Sequence, residues 1–236
     1  MIKLRDLKLV QDLEDILLTE KKGLQINTIN AHSYNVAQKD KQFAKVLLQS
    51  DFLLPDGQSI VWSKKILNNE NLIRITGFDL FKWEMERLNQ RGGRCFFLGS
   101  SKETLDKIVS KAAIQYPNIK IATYSPPYKP IFSEAENQLM INKVNSFQAD
   151  VLFVGMTAPK QEKWVYENKD HLESKHICSI GAVFDFYSGN KQRAPKWMQN
   201  YGLEWFYRLI KEPRRMWKRY ILGNIKFIYY IINEKV

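Results

Sequence analysis

Ala149-Asp-Val-Leu-Phe-Val-Gly155, followed at once by Met156-Thr-Ala-Pro159, carries the architecture of this chain. Val151 to Val154 is an unbroken apolar run without polar alternation, which reads as a strand buried on both faces. Pro159 then stands at the first position of a helix, where proline is favoured because no N–H bond is lost. The same strand–turn–helix unit repeats on either side. Upstream, 24–30 reads as a strand and 33–49 as a helix, and a second helix covers 78–90. The apolar run 94–99 is a strand before a helix over 103–115. A strand over 119–124 precedes a helix over 133–147, and 176–181 is the last strand. This alternation predicts an α/β fold: a Rossmann-like, mainly parallel sheet flanked by helices, with a C-terminal helical appendage.

In such sheets ligands bind at the carboxyl ends of the strands. The polar residues worth attention therefore follow the strands: Asn30, Gly99-Ser-Ser101, the stiff loop Ser125-Pro-Pro-Tyr-Lys-Pro130, Gly155-Met-Thr-Ala158 and Gly181-Ala-Val-Phe-Asp185. Helix N-termini after Ser101 and Ala158 offer free N–H groups to an anion, so a nucleotide diphosphate is a reasonable ligand. The glycine fingerprints of dinucleotide-binding and P-loop proteins are missing. So is a Gly-x-Ser-x-Gly nucleophile elbow. No two Asp lie two apart, which removes the Asp-x-Asp device that holds a metal on a nucleotide-sugar diphosphate. The three His have no ligand spacing, and the two cysteines, Cys95 and Cys178, sit in strand-like runs. Neither a metal nor any other cofactor is expected, and a reducing compartment suits the cysteine usage.

The 236 residues carry 36 Lys+Arg against 25 Asp+Glu, a net charge of +11, with 44% hydrophobic content. The charge is uneven. Residues 191–236 hold 11 Lys+Arg and three Glu, a net +8, together with 10 of the 30 aromatics. The chain therefore divides into an α/β body, 1–190, and a basic, aromatic tail, 191–236. A nucleic-acid arm, a membrane-surface helix and a plain helix pair with a solvated basic face all fit that composition. Ile225-Lys-Phe-Ile-Tyr-Tyr-Ile-Ile232 favours the membrane: it is too apolar for a nucleic-acid arm and too short to span a bilayer. No run is long enough for a transmembrane helix, and Met1-Ile-Lys-Leu-Arg-Asp6 does not open a signal peptide.

Eight segments then align in order: Thr28-Ile-Asn-Ala-His-Ser33, Leu54-Pro-Asp-Gly57, Arg74-Ile-Thr-Gly77 with Asp79, Gly155-Met-Thr-Ala-Pro-Lys-Gln-Glu162, Gly181-Ala-Val-Phe-Asp-Phe-Tyr-Ser-Gly189, Arg193-Ala-Pro195, Gly202-Leu-Glu-Trp-Phe-Tyr-Arg208, and Glu212-Pro-Arg-Arg215 with Arg219-Tyr220. Together they closely resemble the WecG/TagA/CpsF glycosyltransferase family, from about Thr28 to Asn224. The resemblance implies inverting, metal-independent transfer of a sugar from a UDP-sugar donor to an undecaprenyl-diphosphate-linked sugar. That chemistry belongs to cell-surface polysaccharide synthesis, on the cytoplasmic face of the bacterial cell membrane, with the protein peripheral to an anionic surface. It makes 1–190 the catalytic domain and 191–236 a membrane-associating appendage that completes the active site. N-acetylmannosamine or its uronic acid leads as the donor sugar, with glucose or another hexose open. A non-catalytic nucleotide-binding membrane adaptor is the reading from another class. Nucleic acid is not an expected partner, and a homo-oligomer held through the apolar tail stays open.

The resemblance places the general base on Asp56, although Pro55-Asp56-Gly57 is equally a turn sequence. Thr28 and Asn30 are expected to line the pocket, with helix capping by Asn30 or Ser33 as the plain alternative. Gln161 is a donor contact or a solvated helix position, with Lys160 beside it. Asp185, between two Phe, is read as a buried carboxylate facing uracil, ribose or sugar, or as the partner of an Arg such as Arg193. Arg74 pairs with phosphate or orients Asp56 or Asp79. Arg208, Arg214, Arg215 and Arg219 are candidates for the diphosphates of UDP or lipid. Trp197, Tyr201, Trp205, Phe206 and Leu209 recur at helical spacing and are expected to pack inward. Trp217, Tyr220, Phe227, Tyr229 and Tyr230 are expected to face the membrane. Truncation after Gln192 is expected to leave a folded core.

Overall fold

The computed structural model, which describes residues 2–19 and 21–235, contains one six-stranded parallel sheet. Its strands are β1 (Leu24–Ile29), β2 (Phe52–Pro55), β3 (Arg94–Gly99), β4 (Lys120–Tyr124), β5 (Val151–Gly155) and β6 (His176–Ser179), in the order β2-β1-β6-β5-β3-β4. β5 is buried along its whole length, with Leu152 in register with Ile177 on one side and Phe96 on the other. That is the position its unbroken apolar run calls for.

Helices α1 (Ala31–Ala37), α2 (Lys41–Leu48) and α3 (Gln58–Asn68) surround the first two strands, and α4 (Gly77–Arg91) leads to β3. Helices α5 (Lys102–Gln115) and α6 (Glu134–Phe147) flank β4, α7 (Lys160–Asn168) joins β5 to β6, and α8 (Val183–Tyr187) follows β6. The single helix expected over 33–49 is two. Asp40 interrupts it because its carboxylate accepts from Phe43 N at 3.0 Å and starts α2 afresh. β2 has no counterpart among the expected strands. It is four residues long and ends in Pro55, which an edge strand tolerates.

The sheet is covered on both faces. Phe81, Met85 and Leu88 of α4, with Phe184 and Tyr187 of α8, pack on Phe97 and Phe153. Met140, Ile141 and Val144 of α6, with Trp164 and Val165 of α7, cover Phe96, Leu152 and Val154. Each such buried side chain contributes about 1.5–3 kcal/mol by leaving water.

The tail forms α9 (Lys196–Asn200), α10 (Glu204–Lys211), α11 (Pro213–Trp217), a π-helical turn (Lys218–Leu222) and α12 (Gly223–Lys235). α12 lies against α1. Phe227 and Ile231 are buried in a cluster with Tyr34, Phe43 and the N-terminal Leu4, and the Phe227 ring meets Tyr34 edge-on at 5.5 Å. The buried Glu234 carboxylate accepts from Leu4 N at 2.8 Å, from Arg5 N at 3.1 Å and from the Tyr34 hydroxyl. Two expectations change here. Phe227 is core, not a membrane-facing ring. Truncation after Gln192 would also open this cluster and strip the N-terminal segment of its partner, so the remaining body is not an intact core. Conversely, Trp197, Tyr201, Trp205 and Phe206, expected to pack inward, are exposed.

Among the described residues, no helix is long and apolar enough to cross a membrane.

Candidate active site

A cleft of about 2380 Å³ opens at the carboxyl ends of the strands and runs under the tail. Two close approaches shape it. Gly99 ends β3 at φ +114°, and a Cβ there would stand 2.5 Å from the Gly155 carbonyl oxygen at the end of β5. Gly202, at φ +70°, lets the turn before α10 sit on Gln58, whose Cβ would be 2.8 Å from any side chain placed there. The second contact seats the tail beside the Pro55-Asp56-Gly57 turn. Glycine is required at both places because L side chains avoid these torsions and these distances.

Asp56 lies on the cleft wall, just past β2, with its backbone N–H bonded to the Ile29 carbonyl at 2.9 Å. Burial, and then the nearby Glu204 carboxylate, push its carboxyl above the usual carboxylate range. Arg208, the Asn30 side chain and Arg74 pull the other way without prevailing. A carboxyl so poised holds a proton more strongly than a free Asp, the condition a general base requires.

Thr28 and Asn30 both line the cleft at the end of β1. Asn30 also realises the plain alternative: its oxygen accepts from His32 N and Ser33 N at 3.1 Å, and Ser33 Oγ answers on Asn30 N at 2.8 Å. The cap fixes the Asn30 amide, and with it the side facing Asp56. Thr76 and Asp79 form a second reciprocal cap at the start of α4, so Asp79 is spent on helix initiation.

Gln161 lines the cleft but is buried, not solvated. Its oxygen accepts from Met156 N at 3.1 Å and its amide donates to Glu162 Oε1 at 2.9 Å. Glu162, quoted in a family segment but given no role there, is raised by burial to a pKa of about 7, and its Oε2 has no hydrogen-bond partner. Lys160 donates to the Lys129 carbonyl and sits over the Phe132 ring, which ties the proline-rich loop to α7. Asp185 is only half-buried. Its partner is Lys191, at 2.9 Å, in place of the anticipated Arg193. The single turn of α8 holds Asp185 at the cleft surface while Phe184 takes the core side.

The arginines separate. Arg74, Arg208, Arg215 and Arg219 line the cleft; Arg214 is exposed and lies outside its lining. Arg215 is bound to Glu212 at 2.8 Å on the outer rim. Arg74 and Arg208 converge on one carboxylate that sequence reasoning passed over, Glu204, at 4.0 and 3.8 Å. Arg193 joins them at 3.5 Å. Aromatic plates hold two of these guanidiniums, Phe78 under Arg193 at 4.4 Å and Phe186 under Arg208 at 4.7 Å. Arg193 Nε and Arg219 Nε are buried without a hydrogen-bond partner. His32 is held near pKa 4 by burial and by Arg219, so it is neutral at physiological pH. One signal for Glu204 was present in the sequence: it is the single acid in the basic stretch from Lys191 to Lys211.

The cleft thus joins a carboxyl of raised pKa to a group of arginines with unused N–H donors. That pairing suits removal of a proton from a hydroxyl while a phosphate leaving group is stabilised. Among the described residues, no group of three or more His, Cys, Asp or Glu is placed to hold a metal ion.

Comparisons with a family model and with curated proteins show what the chain is similar to. The model of the "Glycosyl transferase WecG/TagA/CpsF family" matches residues 2–236. A Bacillus subtilis protein named N-acetylglucosaminyldiphosphoundecaprenol N-acetyl-beta-D-mannosaminyltransferase is 38% identical over 224 residues, covering 94% of this chain and 84% of its own. Proteins of the same name from Bacillus spizizenii and Staphylococcus aureus are 31% identical (96% of this chain, 85% of theirs) and 25% identical (97% and 88%).

Proposed function

Since the chain belongs to the WecG/TagA/CpsF family of glycosyl transferases, we propose that it moves N-acetylmannosamine from a UDP-sugar to N-acetylglucosamine on undecaprenyl diphosphate. The activity for which its relatives are named supports both sugars and the lipid, and the family supports the UDP donor. The observation that carries the reading is Asp56: a carboxyl of raised pKa beside a cluster of arginines at the carboxyl ends of a parallel sheet.

In the proposed reaction, Asp56 takes the proton of the acceptor hydroxyl as that oxygen attacks C1 of the donor sugar. The bond from C1 to the UDP oxygen breaks on the opposite face, so the anomeric centre inverts. UDP leaves with the bonding electron pair, and the guanidiniums of Arg208 and Arg219 meet its added charge, with Arg74 and Arg215 alongside. Thr28 and Asn30 orient the sugars. Gln161 shapes the donor side through the Met156 backbone, and Asp185 meets the ribose or base. These charge contacts do the work that a metal does in other sugar-nucleotide transferases.

The protein acts peripherally at an anionic membrane surface on the cytoplasmic side. The exposed Trp217, Ile221, Leu222, Ile225, Ile228, Tyr229 and Ile232, among basic residues, support this reading. The test is a panel of UDP-sugars with a polyprenyl-diphosphate N-acetylglucosamine acceptor, read by mass spectrometry. Transfer of an N-acetylhexosamine from UDP-N-acetylmannosamine is expected. Binding of UDP without turnover of any donor would instead identify a nucleotide-binding adaptor.

A further inference from the structure

Asp56 presents an electrostatic problem. Arg74, Arg208 and Arg219 all act on it, yet among the described residues none forms an ion pair with it within 4.0 Å. A carboxylate locked to a guanidinium loses basicity, because an opposite charge within about 4–6 Å lowers its pKa by 1–3. A transferase of this kind needs the arginines close for the departing diphosphate, but not paired to its base.

The geometry points to Glu204 as the positioning residue that meets both needs: its carboxylate gathers Arg74, Arg193 and Arg208, and so keeps Arg74 and Arg208 near Asp56 without pairing to it. This inference rests on the assignment of Asp56 as the base. Three features carry it. First, Glu204 Oε2 faces Arg193 at 3.5 Å and Arg74 at 4.0 Å, while Oε1 faces Arg208 at 3.8 Å. One carboxylate shared at such distances holds three cations in place and saturates none of them. Second, Arg193 Nε remains buried and unpartnered, so donor capacity is left for phosphate oxygens. Third, the three arginines come from separate parts of the chain: the segment before α4, the linker before α9, and α10 itself. A single acid at the first turn of α10 joins them only because Gly202 seats that turn against Gln58.

The charged and polar groups facing Asp56 are few. Asn30 faces it from the end of β1, Arg74 from the segment before α4, Glu204 and Arg208 from α10, and Arg219 from the π-helical turn. His32, on α1 near Arg219, stays neutral at working pH. Glu204 is the one negative neighbour in that set. Removing its charge frees the arginines to turn on Asp56, so Asp56 should lose its proton at lower pH and become a weaker base.

The experiment uses the full chain with ¹³C-labelled aspartate carboxyls, the Asp56 resonance being assigned by its loss in Asp56→Asn. In Glu204→Gln the Asp56 titration should move down by about one pH unit or more. In Glu204→Asp, which keeps the charge, it should stay near wild type. A separate transfer assay should show the acid limb of the rate profile moving the same way. There, kcat at neutral pH should fall about tenfold, and more than KM for the UDP-sugar changes. An unmoved Asp56 titration in Glu204→Gln overturns the inference, since a merely structural ion pair would alter only stability. If Glu204→Gln does not fold, Arg193→Gln poses the same question: Arg74 and Arg208 then stay with Glu204 and Asp56 titrates at or above its wild-type pH. A downward shift in that variant overturns the inference. A wild-type protein that transfers nothing refutes the functional reading, while the titration still decides the role of Glu204.

Discussion

Every residue of β5 is buried, whereas on α12 only Phe227, Ile231 and Glu234 are. The strand is enclosed by helices on both faces, so its apolar run has one explanation. α12 is different: positions 227, 231 and 234 recur at helical spacing and pack on α1, while Ile225, Ile228, Tyr229 and Ile232 stay exposed. A helix that has already buried one apolar face and still shows another has more hydrophobic surface than folding uses. The comparison shows that the tail is not a loose basic arm. Its last helix is part of the core, its middle places Glu204, Arg208 and Arg219 over the cleft, and its remaining apolar face stays exposed.

The sharpest break in this comparison is chemical. Asp56→Asn, in the body, should reduce transfer about 10²- to 10⁴-fold. The fold should be kept, since an amide replaces a carboxyl that burial already disfavours as an anion. Initial rates and a thermal melt on the same preparation check this, and near-wild-type turnover would remove Asp56 from the mechanism.

Next in size is Phe227→Ala. If α12 is core, the variant should lose about 3–5 kcal/mol of stability, measured by urea unfolding, because a buried ring leaves a cavity against Tyr34. A loss under about 0.5 kcal/mol, the usual surface value, would make α12 a detachable anchor.

A third test returns to the body. Glu162 titrates near 7 in the folded chain against an ordinary 4.5. The folded state binds its proton more tightly than the unfolded state, so this stabilisation is complete below pH 4.5 and is lost as pH rises through 7. The shift corresponds to about 3 kcal/mol. Glu162→Gln should flatten that part of the pH dependence and be the more stable protein at pH 8, as urea midpoints at pH 5 and pH 8 would show. Equal pH slopes for variant and wild type would sink the assignment.

The smallest effect on folding belongs to the exposed face of α12. Ile228→Ser with Ile232→Ser should change stability by about 0.5 kcal/mol or less. Flotation with anionic vesicles should nevertheless drop several-fold. Unchanged flotation would move the lipid contact elsewhere on the tail.

The parallel sheet was legible because strand burial is written locally, as runs such as Val151–Val154 and Arg94–Gly99. Short elements were not. β2 has four residues, and the break between α1 and α2 depends on one Asp40 hydrogen bond. The cleft lining was legible where residues follow expected strands, as with Asn30, whereas Asp56 follows the unexpected β2 and was named only through the family resemblance. Asp185 lines the cleft but is half-buried, and the ion pair offered as its plain alternative forms with Lys191 and not Arg193, because that choice depends on how α8 turns. Glu204 was quoted in a motif and given no role, since nothing near it in sequence needs a carboxylate.

The amino-acid sequence by itself determined the alternation of strands and helices, the strand ends where a ligand belongs, and the concentration of charge in 191–236. Hydrophobic periodicity and composition are local properties, and local order suffices to read them. Only the tertiary structure decided that α12 is core on one face and that Glu204 meets three arginines at the cleft. It also decided that Phe227 is buried while Trp197 and Tyr201 are exposed. Those outcomes depend on which surfaces meet. Contacts such as Gly202 on Gln58 and Glu234 on the N-terminal backbone exist only once distant segments have packed together.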